Sequence, residues 1–253
     1  MLGLATGLGV PCLEVKGAKR QVTAADRSRT LPRRKLGCTG VEVPVLGLGA
    51  FHIGQVDSAK KALTIIDTAL QEGIRFFDTA ESHQDGRSEG LRKEIFLMTK
   101  TYAPDERSAV SAQRHLERSL ERLQTDVLDL WQLHNIRSVE DVARSFREGG
   151  AMQYILEMKQ KGVVRHVGVT EHVRPAAHRR APALWDEGWK FDAMQIPINP
   201  IDFHQLSFQR EVLPELTRRN IAVLAMKTSA SRNLLKKKCA LSRSACATSC
   251  HCQ

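Results

Sequence analysis

Three short apolar runs in this chain end on side chains that can hold or move a proton. Ile74-Arg75-Phe76-Phe77 leads into Asp78, Ile95-Phe96-Leu97-Met98-Thr99 into Lys100, and Leu128-Asp129-Leu130-Trp131-Gln132-Leu133 into His134. A carboxylate, an amine and an imidazole gathered at one place form a constellation for acid–base chemistry. Three more runs end in the same manner. Val167-Gly168-Val169 leads into Thr170, Met194-Gln195-Ile196-Pro197-Ile198 into Asn199, and Ala222-Val223-Leu224-Ala225-Met226 into Lys227. Between most of them lie amphipathic stretches long enough for a helix. Strands alternating with helices predict βαβ units and a parallel sheet. In a barrel of such units the C-terminal strand ends form the active-site face, so these polar residues are expected at one mouth.

The elements that must position them follow from local signals. Arg34 to Pro44 reads as a small hairpin with Gly37 and Gly40 in its turn. Val45–Ala50 is the first barrel strand. A helix starts near Asp57 or Ser58, presents Ala59, Ala62, Leu63, Ile66, Ala69 and Leu70 on one face, and stops at Gly73. Later helices are expected over Ser108–Gln124 and Met152–Lys161. The remaining strands are expected at Ile74–Phe77, Ile95–Thr99, Val127–Leu133, Val164–Val169, Ala193–Ile198 and Ile221–Met226. Two stretches fit poorly. Between Gly86 and Ile95 only Arg87–Glu94 remain, which is short for a crossover. After Lys227 no run of strand character appears. The expected fold is therefore an α/β (β/α)8 TIM barrel, incomplete, with seven recognisable strands and a short N-terminal hairpin.

A chain of 253 residues with 42% hydrophobic residues suits one such domain. The net charge of +10 would suggest nucleic acid, but its distribution argues against that partner. Residues 1–35 carry +6 and residues 230–253 carry +5, while the stretch between them sums to −1. Charge confined to tails, with no recognition motif or aromatic platform, marks solvated segments. Residues 1–33 read as a flexible leader or a signal-like remnant, and residues 34–229 as the barrel. Residues 230–253 read as a disordered, basic, Cys-rich tail. The tail cysteines Cys239, Cys246, Cys250 and Cys252 follow no metal-binding spacing, so no metal site is expected. No run approaches the ~20 apolar residues of a transmembrane helix.

Phe77-Asp78-Thr79-Ala80, Met98-Thr99-Lys100, Leu116–Asp129, Gln132-Leu133-His134 and Val164–Thr170 together resemble the aldo/keto reductase family in order and spacing. The similarity runs from about Arg34 to Ser229. It implies a (β/α)8 barrel that binds an extended NADP(H) and transfers its hydride to a carbonyl. The family's tetrad is Asp, Tyr, Lys and His, and Asp78, Lys100 and His134 occupy three of those positions. In that scheme an acid protonates the nascent alkoxide, and an ammonium beside the acid lowers its pKa. Lys100 suits that role with Asp78 orienting it, while His134 hydrogen-bonds the carbonyl oxygen.

The fourth position departs from the family. Its motif D-T-A-x-x-Y is here Asp78-Thr79-Ala80-Glu81-Ser82-His83, so an imidazole stands where the phenol is expected. An imidazolium can donate a proton, although a nearby Lys100 disfavours the protonated form. Tyr102 is a remote substitute. By the same resemblance Thr170, Glu171 and Gln195 fall where the nicotinamide carboxamide is held. Glu171 replaces an asparagine there and loses its amide donor. Lys227, Thr228 and Ser229 fall where the pyrophosphate is wrapped. The loop after an eighth strand is missing, and a frameshift or truncation near Arg232–Lys238 would account for that.

The function these residues imply is NADP(H)-dependent reduction of a small carbonyl to an alcohol, impaired by His83. The alternative is an inactive barrel that binds nucleotide or a protein partner. Expected partners are a small carbonyl or alcohol substrate, without nucleic acid or membrane span. The expected location is the cytoplasm, or export if an upstream start completes a signal peptide. Substrate identity and oligomeric state are not legible in the chain.

Overall fold

The structure, a computed structural model, describes residues 31–79, 92–101, 107–172, 175–204 and 207–230. His83, Tyr102, most of the short Arg87–Glu94 crossover, nearly all of the expected leader and the tail from Ser231 lie outside the described residues.

A two-stranded antiparallel hairpin opens the described chain, β1 (Arg33–Lys35) with β2 (Glu42–Pro44). Seven parallel strands follow: β3 (Gly47–Gly49), β4 (Phe76–Asp78), β5 (Phe96–Lys100), β6 (Leu128–Leu133), β7 (Val164–Thr170), β8 (Ala193–Pro197) and β9 (Ala222–Met226). They pair strictly in chain order, each with the next. Among the described residues β3 and β9 are the two ends of this sheet. β3 is shorter than the expected Val45–Ala50, and Val45 and Leu46 stand exposed before it. A strand with one neighbour has half its ladder unpaired, so its ends do not hold regular pairing.

The connecting helices are α1 (Ala59–Gln71), α2 (Ala109–Leu123), α3 (Val139–Ser145), α4 (Ala151–Gln160), α5 (Pro175–Asp186), α6 (Phe208–Glu211) and α7 (Leu213–Arg218). Serine hydroxyls start four of them. Ser58, Ser108, Ser138 and Ser207 each accept a hydrogen bond from the backbone N–H three residues on, which satisfies a donor the helix cannot. On α1 the expected apolar face is only partly used. Ala69 is buried, but Leu63 and Ala59 are exposed, because α1 follows the sheet's end strand and has less to pack against. In α2 the buried residues Ala112, Leu116 and Ser119 follow helical spacing.

The sheet divides the core in two. Outside it, Leu97, Leu128, Trp131, Leu133, Val167, Val169, Met194 and Ile196 pack against Leu116, Met152, Ile155 and Leu216 of the helices. Each fully buried aliphatic side chain of this kind contributes about 1.5–3 kcal/mol. Inside it, Phe76, Met98, Leu130, Ala193 and Ala222 meet Leu36 and Val43 of the hairpin. Side chains on β4, β5, β6, β8 and β9 can share one small cluster only if the sheet is curled. Two glycines permit the close packing of this floor. A Cβ on Gly47 would lie 2.6 Å from the Phe76 ring, and one on Gly37, at φ +54°, 2.6 Å from Asn220 O. The hairpin thus plugs the end of the curl where the strands begin.

Candidate active site

Strand pleating builds the site directly on the inner core. Side chains two apart on a strand share a face. Phe76 is followed two residues on by Asp78, Met98 by Lys100, Leu130 by Gln132, and Ala193 by Gln195, so a polar layer sits on the apolar floor. His134 and Thr170 continue the same pattern at the ends of β6 and β7, and Lys227 follows β9 directly. Asp78, Lys100 and His134 therefore stand at the C-terminal ends of three adjacent strands.

The Lys100 ammonium forms an ion pair with Asp78 Oδ1 and donates to Thr79 O at 3.1 Å. Its side chain is 7% exposed and that of Asp78 18%. The second Asp78 oxygen accepts from Gln195 Nε2 at 2.7 Å, so both carboxylate oxygens are engaged. Thr101, next to Lys100, ties this strand to the histidine. Its hydroxyl accepts from His134 N at 3.0 Å, and its own N–H donates to Gln132 O at 2.9 Å. The His134 ring meets the His172 ring edge-on, with centroids 5.4 Å apart.

His172 joins the site although no sequence signal marks it. Its backbone N–H donates to Glu171 Oε1 at 2.8 Å, and its carbonyl accepts from Lys227 Nζ at 3.2 Å. Burial pushes its imidazole down to about 4, with the charges of Lys227 and Lys100 adding to the effect and Asp78 opposing it. It is neutral at neutral pH.

The residues expected to hold a carboxamide behave differently from one another. Thr170 and Glu171 are fully buried and Gln195 is 6% exposed. Among the described residues Thr170 Oγ1 and Gln195 Oε1 have no hydrogen-bond partner, nor does either polar atom of the buried Gln132 amide or His172 Nε2. A buried polar group left without a partner costs about 1–3 kcal/mol. Glu171 instead turns one carboxylate oxygen back to the chain, onto His172 N. Lys227, at φ +56°, begins a turn closed by Ala230 N donating to Lys227 O at 2.7 Å, and Ser229 lies half-buried within it. Among the described residues no helix is long and apolar enough to cross a membrane.

The chain is similar to known proteins. An uncharacterized oxidoreductase of Bacillus subtilis (strain 168), YrpG, is 39% identical over 127 residues, which take in 40% of this chain and 39% of that protein. The matched stretch thus spans well under two thirds of that relative. The methylglyoxal reductase DkgB of Escherichia coli O157:H7 is 26% identical over 202 residues, covering 77% of this chain and 70% of that one. Among solved structures, an aldo/keto reductase from Brucella melitensis superposes with a TM-score of 0.61 at 26% identity, covering 83% of this chain and 80% of its own. The family model described as "Aldo/keto reductase family" matches residues 45–248, beyond Ser229 where the motif resemblance stops. With most of its length matched by that family model, the chain belongs to the aldo/keto reductase family.

Proposed function

We propose that this chain reduces a small carbonyl compound to an alcohol with NADP(H), a dicarbonyl such as methylglyoxal being the substrate class nearest its relatives. The observation that carries this is the Lys100 ammonium held by Asp78 at a strand-end mouth, with Gln195 closing the second carboxylate oxygen. The cofactor, when bound, supplies the hydride. The remaining work falls to side chains of this chain.

Among the described residues Thr170 has a hydroxyl free to donate and Gln195 an amide oxygen free to accept, which suits the carbonyl oxygen and an N–H of a carboxamide. Lys227 and Ser229, in the turn after β9, are assigned to the phosphates, where an ammonium and a hydroxyl suit anionic oxygens. His134 donates to the substrate carbonyl oxygen and stabilises the charge that develops there. His83 stands in the position of the family's phenol and is assigned proton donation, with Lys100 adjusting its acidity. In the family's scheme the donor stands next to the lysine, and an ammonium there disfavours a protonated imidazole, so slow turnover is expected.

Titrating the protein with NADPH and with NADH, followed by stopped-flow absorbance with methylglyoxal, tests the proposal. Binding of NADPH with carbonyl-dependent oxidation supports it. Binding without oxidation selects the non-catalytic barrel in its nucleotide-binding form, and no binding of either nucleotide by the folded protein rejects the reductase.

A further inference from the structure

The loop that carries His134 is held by a buried charge that the family motifs do not include. Arg107, just before α2, is 4% exposed. Its guanidinium donates from Nη1 to His134 O and from Nη2 to Asn135 O, both at 2.8 Å, and Nη2 lies 3.4 Å from Asp141 Oδ2. Asp141, on α3, accepts from Arg137 N at 3.0 Å with the same oxygen and from Arg144 Nη2 at 2.7 Å with the other. Two further bonds complete the frame: His134 N donates to Thr101 Oγ1 at 3.0 Å, and Ile136 N to Thr170 O at 3.0 Å. The backbone of residues 134–137 is thus fixed from both sides by groups of β7 and α3, of Thr101 just after β5 and of Arg107 just before α2.

This arrangement is costly. Asn135 sits at φ +56°, a left-handed conformation that few residues other than glycine and asparagine adopt readily. Burial lowers the Arg107 pKa against the opposing pull of Asp141, and a buried ion pair adds little or nothing to stability over an apolar pair of like size. What the planar guanidinium does supply is a fork that spans two successive carbonyls, which a single ammonium cannot reproduce. Arg107 is itself fixed, since its carbonyl accepts from Ala151 N at 2.8 Å at the start of α4.

We infer that Arg107 is a positioning residue for His134, setting through the His134 and Asn135 carbonyls the direction in which the imidazole enters the mouth. This rests on the role proposed above for His134. A residue that merely anchored a loop would leave ring orientation and turnover untouched once the protein is folded.

Arg107→Lys keeps the charge facing Asp141 and removes the fork. The ring nitrogens of His134 are observed by long-range proton–nitrogen NMR, with His134→Gln identifying their signals. In Arg107→Lys those signals are expected to move while those of His166 stay in place. The rate constant kcat for methylglyoxal should fall about 10-fold or more with NADPH affinity within about twofold of wild type. Arg144→Gln, on the exposed side of Asp141, should leave kcat unchanged. If Arg107→Lys does not fold, the neutral pair Arg107→Gln with Asp141→Asn is read in the same way. Unmoved His134 signals and an unchanged kcat in a folded variant overturn the inference. Should wild type reduce no carbonyl, the proposed activity fails, and the His134 signals alone still decide whether Arg107 orients the ring.

Discussion

Gln195 on β8 donates to Asp78 at the end of β4 over 2.7 Å, although four inter-strand steps separate the two strands in the sheet. In a flat sheet those steps would span about 19 Å. The contact is therefore a direct consequence of curling, and it turns the Asp78–Lys100 pair into a three-membered group. Among the described residues the Gln195 amide oxygen has no hydrogen-bond partner.

Gln195→Leu should remove both functions of that amide. We expect NADPH affinity to fall about tenfold, the worth of one hydrogen bond to a polar ligand group. Fluorescence titration of the two proteins makes the comparison, and equal affinities would remove Gln195 from the cofactor site.

Asp78→Asn and Lys100→Met each leave a largely buried charge without its partner. A fully buried pair broken in this way costs about 3–5 kcal/mol, and the partial exposure of Asp78 lowers the expected cost to about 2–3 kcal/mol. The double variant should be less unstable than the sum of the single ones, as judged by urea unfolding. Strict additivity would mean that the two charges do not depend on one another. Both single variants should also reduce carbonyls at least 100-fold more slowly than wild type.

His83→Tyr restores the phenol of the family motif. Reduction of a generic aldehyde should rise by about 10-fold or more, within the 10²–10⁴ range that general acid catalysis contributes. A folded His83→Tyr protein no faster than wild type would place the slow step elsewhere than in proton donation.

Acid should weaken the fold through His172. Its pKa is pushed down to about 4 in the folded chain, chiefly by burial, against about 6.5 when unfolded. Between those values the unfolded chain holds a proton that the folded one lacks, so stability falls as pH drops from about 6.5 to about 4 and is unaffected by this residue above that window. The full loss is about 3 kcal/mol. His166, also lowered by burial despite Asp192, adds a loss of the same sign. Between pH 7.5 and pH 5 wild type should lose about 2 kcal/mol more than His172→Gln, measured by urea unfolding. Equal losses would show that His172 titrates normally.

Much of this site is legible along the chain because it is built from strand ends. Asp78, Lys100 and His134 stand where a mostly apolar run gives way to an ionisable side chain at its C-terminal end, and the parallel topology carries all three to one side. Contacts between distant segments leave no such trace. The Gln195–Asp78 bond joins residues 117 apart and exists only in the curled sheet. His172 is made unusual by burial, with Lys227 and Lys100 arriving from other strands to add to the effect. The short helix α3 has little periodicity and is held by the Ser138 cap and the Arg107–Asp141 pair, so its sequence reads as loop. Arg107 looks like any basic residue before a helix until its carbonyl partners are seen.

The most direct test of the whole account is whether a hydride passes to a carbonyl at this mouth. The full chain is incubated with NADPH deuterated at the transferable position and with methylglyoxal, and the alcohol is analysed by mass spectrometry. One deuterium per product molecule, formed by wild type and His83→Tyr but not by Lys100→Met, is the predicted result. An unlabelled product, or labelling that survives in Lys100→Met at the wild-type rate, would contradict it.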